Sequence, residues 1–289
     1  KKKNIGILIT DHNVQETLSI VDRAYLLFEG KILKDGTAED LAKDEQVRKV
    51  YLGQKFELKK KTIDFWMALI LNIETSTKTC SVNLSKNGKS LGVNEITSEK
   101  YVHGEKLHLL IKDLFASLNL SLKQLDAVGV SAGPGSFTGL RIGVATAKGL
   151  AFGLDIPLIS MNSLEIMING YQNKSINENA IYFPMIDARR KEVFTAGYNS
   201  EKKQITEIAC PEINSKFLKI YEDYQKLYFL GDGALKFQGE FNSKIVEIDA
   251  SVPNSSTGMA YNTFEKFKNK KFESIPYFNP YYLKDFFTG

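Results

Sequence analysis

The run Ser131-Ala132-Gly133-Pro134-Gly135-Ser136-Phe137-Thr138-Gly139-Leu140-Arg141-Ile142-Gly143 constrains this 289-residue chain more than any other. An apolar stretch, 127–131, enters it and a helical pattern leaves it as far as about Gly153, so a strand must turn sharply into a helix. Glycines in such a turn permit positive φ and close backbone approach, and the helix N-terminus offers free N–H groups to an anion. Spacing removes the sharper motifs. No Gly-Lys-Ser/Thr follows, so the turn is not a P-loop. Pro134 and Thr138 stand where a hydrolase elbow around Ser136 would place glycine. A Gly133-x-Gly135-x-x-x-Gly139 dinucleotide turn survives in form, yet the next strand, near 157–160, ends without the acid that would hold a ribose.

The helix beyond the turn carries Gly139, Gly143, Ala147 and Ala151 at every fourth position, and Ala145, Gly149 and Gly153 make a second row of small residues. Rows at this spacing are packing ridges, and stripping them of side chains lets a neighbour approach closely. A helical glycine costs roughly 1 kcal/mol relative to alanine, so the close approach must compensate. Packing inside the domain and contact with a partner helix both satisfy that requirement. The second is the expectation carried forward, together with the amphipathic stretch 103–118, whose Leu107, Leu110, Ile111 and Leu114 share one face.

Texture changes along the chain. Residues 5–10 and Ala24 to Phe28 read as strands, Thr37-x-x-Asp40 opens a helical stretch, and Lys59-Lys60-Lys61 with Phe65-Trp66 reads as a connector. From Met67, the natural start of a second piece, strands at 68–73, 79–84, 127–131, 157–160, 181–186 and 193–198 alternate with helices, which means an α/β architecture. The divisions expected are 1–58, a linker at 59–66, a first lobe at 67–175 and a second at 176–289. Net charge is +4, divided evenly between 1–66 and 67–289, without the concentrated basic patch of a dedicated nucleic-acid binder. Two cysteines, Cys80 and Cys210, form no disulfide framework and point to a reducing, cytoplasmic setting. No apolar run reaches membrane-spanning length.

Residues 1–58 resemble the C-terminal end of an ABC-transporter ATPase of the lipopolysaccharide-export (LptB) type. The carrying residues are Ile9-Thr10-Asp11-His12-Asn13-Val14, Asp22-Arg23-Ala24-Tyr25, Glu29-Gly30-Lys31-Ile32 and Val47 to Gly53. The resemblance implies that His12 is a relic of the switch histidine that senses a γ-phosphate. A histidine alone does not hold ATP, and the phosphate loop and magnesium-binding acid are absent from the sequence. The piece also lacks strands to pack against, so its apolar faces should be poorly buried.

Residues 67–289 resemble the TsaB (YeaZ) family of threonylcarbamoyladenosine biosynthesis in tRNA. The matching motifs are Ile70-Leu71-Asn72-Ile73-Glu74-Thr75-Ser76, Cys80-Ser81-Val82, the Gly133–Gly143 block, Ile186-Asp187-Ala188-Arg189-Arg190, Gly231-Asp232-Gly233-Ala234 and Pro280-Tyr281-Tyr282-Leu283. The resemblance implies a two-lobed actin/hexokinase-like fold and a non-catalytic subunit that activates a TsaD-like catalytic paralogue, with a TsaE-like ATPase. It implies that helices near 103–118 and 138–153 pair with that paralogue or, as a homodimer, with a second copy. Leu107, Leu110, Ile111, Leu114, Gly139, Gly143, Ala147 and Ala151 are therefore the expected interface. Contact with tRNA is expected only indirectly, and with membranes not at all.

The residues themselves favour a scaffold. Where the superfamily holds phosphate with Asp-x-Gly-Ser/Thr, this chain has Glu74-Thr75-Ser76-Thr77, without the glycine and with a longer acid. His103 and His108 are five apart, about 140° around a helix, so they do not share one metal ion. Neither a cofactor, a metal nor a catalytic residue is assigned. Ser136, Thr138, Arg141, Asp187 and Arg189 are candidate nucleotide or cleft contacts, with ordinary strand-end charges as the plainer reading of the Asp187–Arg190 cluster. Two other classes stand as alternatives: an ATP-binding subunit of a lipopolysaccharide-export transporter, and a nucleotide-dependent enzyme using the Gly133–Gly139 turn.

Overall fold

The chain divides into two compact units, residues 1–66 and 67–289, and the computed structural model describes residues 10, 17–18, 21, 23–52, 67–99, 102–172, 179–241 and 245–284. In the first unit β1 (Ala24–Phe28) pairs antiparallel with β2 (Lys31–Gly36). Their turn, Glu29-Gly30, has positive φ at both positions, the geometry whose twist suits a two-residue hairpin. Thr37 caps α1 (Ala38–Lys43) by accepting the Asp40 N–H, and its hydroxyl donates to the Asp40 carboxylate, so the capping box closes on side chains. Leu18, Leu26, Leu41, Val47 and Leu52 form a small core. Tyr25, Leu27, Phe28 and Ile32 remain exposed, the poor burial expected of a fragment. His12 and the strand expected at 5–10 lie outside the described residues.

The second unit opens with a meander, β3 (Leu69–Glu74), β4 (Thr79–Lys86) and β5 (Lys89–Thr97). Two crossovers follow: α2 (His103–Ser117) leads to β6 (Ala127–Ser131), and α3 (Phe137–Leu154) leads to β7 (Leu158–Met161). The sheet order is β5-β4-β3-β6-β7. β3 is antiparallel to β4 and parallel to β6, and only a long connection such as these helices can join parallel neighbours. Leu71, Ile73, Val82 and Leu84 pack beneath Leu107, Leu114, Val144 and Ala147.

The second lobe contains α4 (Ser163–Gly170), β8 (Ala180–Asp187), β9 (Val193–Thr195), α5 (Ser215–Ile220), β10 (Lys226–Leu230) and β11 (Val246–Asp249). Its sheet order is β11-β10-β8-β9. One face is filled by aromatic rings, with Phe183 against Phe217 at 5.3 Å and against Phe229 at 5.8 Å, both edge-on, the favoured contact of two ring quadrupoles. This two-lobed α/β arrangement is the actin/hexokinase-like fold.

The lobes are not divided by a single cut at 175/176, as expected from the sequence. The chain returns, and α6 (Ala260–Lys268) covers the other face of the first sheet, where Phe264 and Phe267 pack over Ala68, Ile70, Ala127 and Ile159. Thr263 fixes this return by donating its hydroxyl to buried Asn72 Oδ1 at 2.9 Å. The strand expected at 193–198 is shorter, ending at Thr195, with only a bridge at Tyr198. Among the described residues no helix is long and apolar enough to cross a membrane.

Phe229 touches three other rings of the second lobe and is fully buried. Phe229→Ala should cost about 3–5 kcal/mol, the usual loss on emptying an aromatic site in a core. Urea unfolding followed by tyrosine fluorescence measures it, and a loss below about 1 kcal/mol would show that the ring cluster does not hold the lobe.

Candidate functional site

β3 runs out at Glu74, and the loop 74–77 folds back on its own acid. Ser76 donates its N–H to Glu74 Oε1 at 2.5 Å. The Ser76 and Ser131 hydroxyls and the Thr75 N–H also serve the carboxylate, while Oε2 has no partner. Burial dominates these bonds and pushes the Glu74 carboxyl up to about 7. Cys80, beside it, is pushed up to about 12 by burial and by the Glu74 charge. Asn254 holds the loop from the far side, donating to Ser76 Oγ at 2.8 Å.

The glycine block meets this loop. Ser136 donates its N–H to the Ser76 carbonyl at 2.7 Å. A Cβ at Gly139 would overlap the Thr75 carbonyl, and one at Gly143 the Thr75 hydroxyl. The row Gly139, Gly143, Ala147 and Ala151 therefore lies inside the domain, where the loop and the sheet need its bare surface. Leu107, Ile111 and Leu114 likewise point into the first core, and Leu110 is half-buried against it. This corrects the expected interface: a partner cannot reach residues that the chain's own core already covers. Only Ile111 of the eight also reaches an outer surface.

That surface is a groove of about 860 Å³ between α2 and α3. Ile111, Phe115, Leu120, Leu122, Ile142 and Leu150 line it. The second small-residue row forms part of its wall through Ala145 and Gly149, and a side chain at Gly149 would meet open space. Spacing identified both rows on α3. Which row faces outward depends on Thr75, whose contact with the helix has no local signal.

The N-terminus of α3 is closed by its own chain. Ser136 Oγ accepts the Gly139 N–H at 3.2 Å, and the Tyr281 N–H donates to the Ala132 carbonyl at 2.6 Å, drawing the C-terminal segment over the turn. Thr138 and Arg141 are exposed. Arg141 lies over the Phe137 ring, 4.0 Å from its centre, and donates from Nε to Tyr282 Oη at 3.4 Å. Asp187 and Arg189 are elsewhere, at the end of β8. Asp187 accepts the Arg189 N–H at 2.6 Å and pairs with Lys236 at 2.6 Å. Nearby Asp232 is raised chiefly by burial. These are the contacts of a charged strand-end turn, and the structure does not join Asp187 and Arg189 to Ser136, Thr138 and Arg141.

A nucleotide and its metal do not fit this arrangement. The loop that would cradle phosphate is filled by the Glu74 carboxyl, and a second anion there would face a like charge with no glycine backbone to hold it. His103 begins α2 and is buried, its pKa lowered by burial, whereas His108 is exposed at the groove. Among the described residues no group of His, Cys, Asp and Glu is arranged to hold a metal ion.

Two lobes of this topology, a phosphate loop turned on itself and an open apolar groove define a member of the class whose nucleotide machinery has been replaced by packing. Residues 93–273 match the family model described as TsaD, tRNA N6-adenosine threonylcarbamoyltransferase, and the chain belongs to that family. It is 37% identical over 133 residues to the tRNA threonylcarbamoyladenosine biosynthesis protein TsaB of Haemophilus influenzae, and 35% identical over 136 residues to that of Escherichia coli. These matches cover 46% and 47% of the chain, and it spans about half the length of these curated relatives, 55% and 57%. The fold is similar to that of YeaZ from Pseudomonas aeruginosa, with a TM-score of 0.62 at 23% identity, covering 75% of this chain and 100% of that one. A separate segment of 58 residues is 52% identical to the lipopolysaccharide export ATP-binding protein LptB of Haemophilus influenzae, 20% of this chain and 24% of that protein.

Two outcomes follow. A group raised by burial stabilises the fold fully below its ordinary value and loses that contribution as pH rises through the raised one. Glu74, displaced from 4.5 to about 7, should cost the wild type about 3 kcal/mol between pH 4.5 and 8 relative to Glu74→Gln, read from urea midpoints across that range. Parallel pH curves for the two proteins would refute a buried, raised acid. Gly143→Leu should lower stability by about 3 kcal/mol or more through overpacking against Thr75, whereas Gly149→Leu should stay within about 0.5 kcal/mol. Thermal unfolding of the pair tests which row is the inner one.

Proposed function

We propose that residues 67–289 act as the non-catalytic, activating subunit of a tRNA threonylcarbamoyltransferase, pairing in the cytoplasm with a TsaD-like catalytic paralogue and a TsaE-like ATPase. The observation that carries the reading is the loop at 74–77. Glu74 is bonded to the backbone that would otherwise hold a phosphate, so the subunit offers no site for the reacting group. What it does offer is the α2–α3 groove, an apolar surface of the size that partners cover. The printed function of the TsaB relatives supports the same reading. Contact through the groove fixes the paralogue's orientation, and tRNA is then engaged by the assembly. Residues 1–66 are dispensable for this role, being a compact unit with a core of its own.

The test is rescue. Residues 67–289 are expressed with the cognate paralogue in cells depleted of their own activating subunit, and threonylcarbamoyladenosine in bulk tRNA is quantified by nucleoside mass spectrometry. Restored modification is expected, and Gly149→Trp, which fills the groove, should reduce it at least tenfold. A soluble protein that restores nothing beside its cognate paralogue would overturn the assignment.

A further inference from the structure

The groove has a charge as well as a shape. Its floor is apolar, its one fully charged lining residue is Lys112, and no carboxylate is among the residues that line it. Arg141 stands one helical turn before Ala145, on the same side of α3. Its guanidinium is held flat on Phe137 and tied by Nε to Tyr282, which leaves its outer N–H donors in a fixed fork suited to a carboxylate. Among the described residues neither Lys112 nor Arg141 forms an ion pair, and the exposed carboxylate of Asp113 lies outside the lining.

We infer that the groove selects an amphipathic helix of a partner chain whose apolar stripe is flanked by Asp or Glu, and that it selects against a second copy of this chain. An isologous pair would bring the same cationic rim onto itself, because a two-fold interface presents one patch to its own image. A helix with an acidic flank meets Lys112 and Arg141 with opposite charge while its apolar side chains enter between α2 and α3. The apolar lining lacks the converging polar groups that orient a small molecule. This rests on the reading that the groove is where pairing occurs, but its test reads binding alone and is independent of tRNA modification.

Two fluorescent helical peptides with identical leucine and alanine faces, one flanked by Glu and one by Lys, are titrated with the full chain and followed by anisotropy. The Glu peptide should bind about tenfold more tightly at low salt, about 1.4 kcal/mol, and the advantage should shrink at high salt. Lys112→Ala with Arg141→Ala should remove the preference, and Gly149→Trp should abolish binding of both peptides. Equal affinity, preference for the Lys peptide, or no binding of either would overturn the inference. So would self-association at low salt that Gly149→Trp abolishes, or displacement of the bound peptide by an anticodon stem-loop RNA. Modification in the rescue assay can succeed while the peptides fail, and that combination would leave the proposed function standing without this inference.

Discussion

The contact between the loop 74–76 and the glycine face of α3 sets the rest of the second unit. Thr75 and Ser76 press so closely on the helix that Gly139 and Gly143 have no room for a side chain. The close approach brings the Glu74 carboxyl under cover, and burial then raises it. It also turns the other small-residue row outward, which opens the groove beside α2. A loop that holds phosphate in a nucleotide-using lobe has here become a wedge. Binding capacity has moved from the cleft to the flank.

Much of the first lobe was legible because its signals are local. Ser136 caps α3 as its position before the helical pattern predicts, and the apolar runs of β3, β4 and β6 identify buried strands. β5 was missed because its sequence, Lys89 to Thr97, alternates weakly on an edge where Leu91 and Val93 stay partly exposed. α6 was missed for another reason: its fully covered residues are Ala260 and Thr263, and a buried threonine looks like a polar surface position until Asn72 is seen opposite it. The orientation of α3 was not legible at all. Its answer lies in a loop more than sixty residues away.

The two units differ in how well their sequences are satisfied. The second has two covered sheets and paired buried polar groups such as Asn72 with Asn83 and Ser85, and Ser81 with Ser256. The first leaves Tyr25, Leu27, Phe28 and Ile32 on a two-stranded hairpin, too little sheet to be stable without neighbours. That contrast fits a segment whose relatives embed it in a much larger ATP-binding protein.

The return of α6 has a consequence for how the protein is made. The first sheet is complete once β7 has formed, yet one of its faces stays bare until residues 260–268 arrive, after the whole second lobe has been synthesised. Asn254 with Ser76, Ser256 with Ser81 and Thr263 with Asn72 join residues separated by 175 to 191 positions. Such distant contacts close late and slow the search for the native state. On the ribosome the lobe that emerges first is therefore the one that finishes last, holding an apolar sheet face open to chaperones throughout the synthesis of its partner lobe.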